Sequence, residues 1–286
     1  MPRHPLYSGL LWTGLALTLG SLALVAVPLE NDAVSRLVEW IRPTNRYYDA
    51  FRLELSIAIL GLFLVWAGTA LPRLFPDPGN LPPFHWHPHF VAGLAICPLY
   101  WIGHHEMFGI PGWIWAEDGP MEYLTVLLLG LAALYAGAAL RHGRKLFSTA
   151  ERRLLGLFIL ALLVLAAEEI SWGQRILDIE TPPALKDSNV QGEINLHNLT
   201  VGWNEVFRMA VACLLSALIW LNEADRLPFL TGRLDALKPP HGLFFWLPLL
   251  MIPGHLYDEL FEQIVSFAIL AYAMALRRRA IIATQS

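Results

Sequence analysis

Charge is scarce in this chain of 286 residues: Asp, Glu, Lys and Arg together make up 15% of it, against about 25% in an ordinary soluble domain. A chain so poor in charge has too little polar surface to face water all round, which excludes a soluble globular protein. Cysteine is scarcer still. Cys97 and Cys213 both fall in apolar runs, so no disulfide framework organises the fold and the cysteines carry no information on redox compartment. Net charge is −4, which excludes the basic surface that nucleic acid requires. There is no GxSxG, P-loop, HExxH or Rossmann fingerprint, no recognisable triad order around Ser171, no internal repeat and no low-complexity segment.

Apolar sequence is abundant. The composition is 56% hydrophobic with eleven Trp, and the mean hydropathy is +0.48. A membrane span needs ~20 mostly apolar residues. Eight apolar segments can be drawn, over residues 8–28, 54–72, 89–103, 121–140, 154–170, 203–221, 242–254 and 257–276. The third and seventh are short and carry Pro98 and the pair Pro248 and Pro253, so they are expected to be kinked or partly re-entrant. The first run, Ser8 to Pro28, has a weak basic start (Arg3, His4) and no small-residue cleavage site, and reads as a retained span. Residues 30–53 contain Val34, Leu37, Val38 and Ile41 at amphipathic spacing, with Trp40 as an interfacial anchor. The expectation is one integral membrane domain over 1–286, an all-α polytopic helical bundle of about eight spans.

Lys and Arg orient such a bundle, because they gather in cytoplasmic loops. With the N-terminus inside, the inner loops hold Arg3, Arg73, Arg141, Arg144, Lys145, Arg152, Arg153, Arg226, Arg233, Lys238 and Arg277 to Arg279, thirteen of the twenty basic residues. Arg36, Arg42, Arg46, Arg52, Arg175 and Lys186 fall outside, with Arg208 near the start of a span; the first outer loop fits the rule poorly. Both termini are then cytoplasmic.

This orientation puts four polar clusters on the outer side. The central one is Glu168-Glu169, which ends the apolar run Leu154 to Ala167. One acidic residue at a span centre costs ~2.5–3.5 kcal/mol, less toward the interface. A chain tolerates that where the carboxylates have partners, and an ionisable group in a span marks a functional site by default. The alternative is that the pair lies just outside the bilayer and caps the next segment. The other clusters are His104-His105-Glu106 running on through Glu117, Asp118 and Glu122; Glu193, Asn195, His197 and Asn198 in an outer loop or lid over 171–203; and His255, Asp258, Glu259 and Glu262. On a helix the last set shares one face. Asp118 and Glu122 also suit a helix N-terminus after Pro120, where the dipole favours acids.

Carboxylates converging with one or two imidazoles are the donor set of a divalent metal. The expected ligands are Glu122, Glu193, Asp258, Glu259 and Glu262. Glu168, Glu169, His197 and His255 are expected as acid–base groups, since each of these His lies within four residues of a carboxylate. Asp118, Gln174, Asn195 and Asn198 would orient the carboxylates, and Trp172 would keep water out. The tract His85, His87 and His89 falls on the inner side and reads as interfacial packing.

The stretch Glu168-Glu169-Ile-Ser-Trp-Gly-Gln-Arg175, with Glu180-Thr181-Pro182 and then Gln191-x-Glu193-x-Asn195-Leu-His197-Asn198, resembles a family of uncharacterised multi-pass membrane proteins from bacteria. The resemblance implies a bacterial inner-membrane location and no activity. The histidine-rich late spans of intramembrane metal hydrolases such as the alkaline ceramidases are absent. Three functions follow from the residues, in this order: a metal-dependent hydrolase or transferase acting on a lipid or lipid-linked substrate; a cation- or proton-coupled transporter; and a non-catalytic scaffold. Membrane lipids are the expected surroundings and nucleic acid is not a partner.

Overall fold

A computed structural model of the protein describes residues 5–25, 50–76, 114, 119–174, 177–186, 192–195, 204–227, 232, 234–239 and 258–285; over these the fold is all-helical, without a strand. Six helices carry it: α1 (Pro5–Val25), α2 (Ala50–Leu74), α3 (Pro120–His142), α4 (Thr149–Glu169), α5 (Asn204–Glu223) and α6 (Asp258–Gln285). Four of them, α1, α2, α3 and α6, contain stretches long and apolar enough to cross a membrane. Helix α4 holds Glu151, Arg152, Arg153, Glu168 and Glu169 in its end turns, and the apolar part of α5 runs only from Val206 to Asn222. The count of eight spans is therefore not supported. Six of the eight segments coincide with these helices, while 89–103 and 242–254 lie outside the described residues, as do the interfacial segment up to residue 49, the tract from His85 to His89 and His104 to Glu106.

The helices pack in two groups. Antiparallel α1 and α2 approach closely through glycine: a Cβ on Gly14 would stand 2.6 Å from the Gly61 carbonyl oxygen, and one on Gly68 would stand 2.7 Å from the Leu11 nitrogen. Lipid supplies no hydrophobic drive between helices, so close backbone contact has to supply the attraction. Helix α5 closes this group, with Trp220 stacked on Phe63 at 5.3 Å and on Trp66 at 6.1 Å. The second group is α3, α4 and α6, whose shared core includes Ala132, Ala136, Ala139, Leu155, Leu162, Ala273 and Leu276.

Local sequence sets the hairpin between α3 and α4. Pro120 occupies the first turn of α3, and the Gly143 N–H closes its end on the Ala139 carbonyl. Phe147 fills the space where a Gly143 Cβ would sit, so a larger residue would collide there. Ser148 then opens α4 with a reciprocal cap: its hydroxyl accepts from the Glu151 N–H and Glu151 accepts from the Ser148 N–H. Helix α6 runs parallel to α3, since Gln263 donates to the Met121 carbonyl at 2.8 Å near one end and Arg277 lies 5.5 Å over the Tyr135 ring further along. Two links fix α5 parallel to α6. The Arg208 guanidinium lies 5.9 Å over Phe261 at one end, and at the other Lys238 joins Asp225 while its carbonyl accepts from Arg279.

The second group thus has two unlike ends, about 28 Å apart over the nineteen residue steps from Glu122 to Arg141. One end gathers Glu122, Glu168, Glu169 and Glu262. The other gathers Arg141, Arg144, Lys145, Arg152, Arg153, Lys238 and Arg277 to Arg279. Along the flanks Leu134, Leu157, Leu160 and Leu163 are each more than half exposed, a face that water would penalise and lipid would not.

Candidate functional site

The acidic end is assembled from three helices. Glu122 lies in the first turn of α3, Glu168 and Glu169 close α4, and Glu262 lies in the opening turns of α6. The parallel run of α3 and α6 brings the first and last together, and the antiparallel return of α4 adds the middle pair. The Glu169 side chain is hydrogen-bonded to that of Glu262, and both Glu122 and Glu168 lie close enough to act on it electrostatically. Four carboxyl groups from three helices therefore crowd one end of the group, and their mutual repulsion disfavours full ionisation of the set.

Immediately after α4 the chain makes a turn that sequence alone does not announce. Ser171, Trp172 and Gly173 are consecutive residues with positive φ, at 46°, 57° and 75°. A non-glycine residue in this region costs ~1–3 kcal/mol and persists only where its surroundings hold it. The holding contacts are visible. The Gly173 N–H reaches the Ile170 carbonyl at 2.8 Å and the Gln174 N–H reaches that of Ser171 at 3.0 Å. The Trp172 indole N–H donates to Glu168 Oε1 at 2.5 Å, tying the turn to the acid pair.

The following loop folds back onto this turn. The Ser171 hydroxyl donates to Glu193 Oε2, and the Asn195 side-chain amide donates to both that oxygen and Ser171 Oγ, each at 3.0 Å. All three residues are buried, so their polar groups depend on one another. Gln174 pins the loop at two further points: its Nε2 donates to Thr181 Oγ1 and its Oε1 accepts from the Ile194 N–H at 2.7 Å.

Of the residues singled out from sequence, the structure brings Glu122, Glu168, Glu169 and Glu262 together. Glu193 and Asn195 join them through Ser171, two residues beyond Glu169. The Asn195 amide donates to the Glu193 carboxylate. Gln174 does not; its amide goes to Thr181 and to the backbone of Ile194. Trp172 is half exposed and acts as a hydrogen-bond donor to Glu168 rather than as a closed wall against water. Asp118, His197, Asn198 and His255 lie outside the described residues, and so do the side chains of Asp258 and Glu259. Among the described residues no group of three or more His, Cys, Asp and Glu side chains has the arrangement of a metal site.

Two contributors escaped the sequence reading. Ser171 lacked any triad spacing, because its partners Glu193 and Asn195 arrive from a loop more than twenty residues away. Gln263 is completely buried and joins α6 to α3 beside Glu262; a polar side chain next to an acid at the start of an apolar run was its one signal. Comparison of the chain with protein-family models, curated proteins and solved structures gives no match.

Proposed function

We propose that this is a multi-pass membrane enzyme of the hydrolase or transferase type, with its acid–base site at the carboxyl end of the α3, α4 and α6 group. The observation that carries the reading is the meeting of Glu122, Glu168, Glu169 and Glu262 from three helices at one end of the group. Such a cluster offers the two forms that general acid–base catalysis needs: a protonated member that gives its proton to a leaving group, and an ionised member that takes one from the attacking water or hydroxyl. The site sits at the ends of helices apolar enough to cross a membrane, which favours a lipid or lipid-linked substrate. A divalent ion at this end would supply an activated water; the described acids do not form a metal site by themselves, so its ligands would have to include Asp258 and Glu259 beside Glu122, Glu193 and Glu262. His197 and His255 would add proton-transfer capacity. The location that goes with this reading is a bacterial inner membrane, with the basic end and both termini in the cytoplasm.

The test is turnover. The purified protein in detergent is incubated with a total bacterial lipid extract, with and without Mg or Mn, and products are followed by mass spectrometry. Native protein is expected to convert a lipid class, and Glu169→Gln and Glu262→Gln to lower the rate ~100-fold or more, the usual worth of a positioned acid or base. Equal turnover by the native and Gln forms would sink the acid–base assignment.

The carboxyl cluster also favours a second reading, a proton-coupled transporter. Buried carboxylates that exchange a proton are the working parts of such proteins. Proteoliposomes with an imposed pH gradient separate the two: proton flux abolished by Glu169→Gln, without lipid turnover, would favour transport.

A further inference from the structure

At the opposite, basic end a cleft of about 930 Å³ opens between the start of α4, the turn at Asp235–Leu237 and the last turns of α6. Its apolar wall includes Leu146, Ile282 and Ala283, and its polar wall Ser148, Glu151 and Arg279. The acids here are already engaged with backbone. Glu151 accepts from the N–H groups of Ser148 at 2.8 Å and Ala236 at 3.0 Å, and Asp235, also in the wall, accepts from the Gly232 N–H at 3.0 Å. Lys238 pairs with Asp225 at 3.2 Å.

Arg279 is different. Its Nη1 donates to the carbonyl oxygens of Ala236 and Lys238, and among the described residues no carboxylate forms an ion pair with it. Two neutral carbonyls fix the guanidinium in place without cancelling its charge, and donors on its other nitrogens remain beyond those two bonds. At the same end of the helices Arg144, Lys145, Arg152, Arg153 and Arg278 are all exposed. The cleft therefore combines a held cation, an apolar wall and a positive surround, at the end of helices long enough to cross a membrane.

We infer that this cleft binds an anionic phospholipid, its phosphate on Arg279 and an acyl chain against Leu146 and Ile282. Basic pockets at helix ends suit such headgroups, and each Lys or Arg near the surface adds ~1 kcal/mol of attraction to anionic lipid. A zwitterionic lipid lacks the net charge that this surround selects. A free phosphate would use Arg279 and leave the apolar wall unused. The site is independent of the carboxyl cluster and of any activity there.

The test uses the full-length protein in detergent, mixed separately with phosphatidylglycerol, phosphatidylcholine and glycerol phosphate, with retained ligand counted by native mass spectrometry. Phosphatidylglycerol should be retained about fivefold or more over phosphatidylcholine, the factor that ~1 kcal/mol implies, and glycerol phosphate should neither bind nor compete. Arg279→Gln should remove the preference and Arg278→Gln, on the exposed side, should keep most of it. Because Arg279 also holds two carbonyls, Ala283→Phe provides a second route: it fills the cleft, leaves Arg279 in place and should also abolish retention. Equal retention of both lipids, retention undiminished in Arg279→Gln and Ala283→Phe, or competition by glycerol phosphate equal to that of the lipid would each overturn the proposal.

Discussion

The two ends of the α3, α4 and α6 group use charge in opposite ways. At one end carboxyl groups turn inward: Glu168 and Glu193 are each 7% exposed. The Trp172 indole holds the first, and Ser171 and Asn195 hold the second. At the other end Arg141, Arg144, Lys145, Arg152, Arg153, Arg277 and Arg278 are exposed, while Glu151, Arg279 and Lys238 are drawn into polar contacts between elements. The difference follows from side-chain chemistry. A long basic side chain lays its methylenes along apolar surface and carries its charge out to water or headgroups. A buried carboxylate has no such escape and is tolerated only with hydrogen-bond donors or a proton.

The sharpest way to break this comparison is Glu193→Ala. It removes the acceptor of both Ser171 and Asn195 and leaves two buried donors without their partner, so stability should fall by about 3 kcal/mol, the scale of hydrogen bonds to a charged group. Thermal unfolding in detergent reads the loss, and limited proteolysis should show the loop after Gly173 opening. A loss below ~0.5 kcal/mol would mean that the loop does not depend on the buried network.

Glu151→Ala probes the one buried acid at the basic end. It deletes half of the α4 capping box and the tie to Ala236, and should cost about 2 kcal/mol. Glu151→Gln should recover part of that, because an amide oxygen can still accept one of the two N–H groups. A Glu151→Ala protein as stable as the native one would show that the link from α4 to the Asp235–Leu237 turn is incidental.

The smallest effect is expected from Arg278→Ala. Its side chain is exposed and its loss should change stability by less than ~0.5 kcal/mol. On the proposed orientation its contribution is to topology, and combined neutralisation of Arg277, Arg278 and Arg279 should then lower the cytoplasmic signal of a reporter fused after Ser286. A large loss of stability from Arg278→Ala alone would erase the distinction between the two ends.

Much of this architecture was legible in the chain. Apolar runs located six helices because a span needs length and low charge, both local properties. The capping box at Ser148 and the proline at the start of α3 are equally local. The meeting of Glu122, Glu168, Glu169 and Glu262 depends on which helices run parallel, and that is set by packing between segments far apart in the chain. The turn at Ser171–Trp172 was not legible, because nothing in Ser-Trp-Gly requires two non-glycine residues with positive φ. Glu193 and Asn195 impose it from a distant loop. The role of Trp172 was misjudged for the same reason: an indole reads as an apolar wall until its N–H is seen on Glu168.

What the sequence determined by itself is membrane character, helical class and the polarity of charge along the helices. These depend on the free energy of each segment in lipid or water, and neighbours do not enter that sum. What only tertiary structure decided is which carboxyl groups meet, which cation is held by carbonyls in place of an acid, and where the backbone is strained. Those depend on distances between segments far apart in the chain. Hydrogen bonds and charge–charge terms fall off within a few ångströms, and at that scale only the packed helices place the groups.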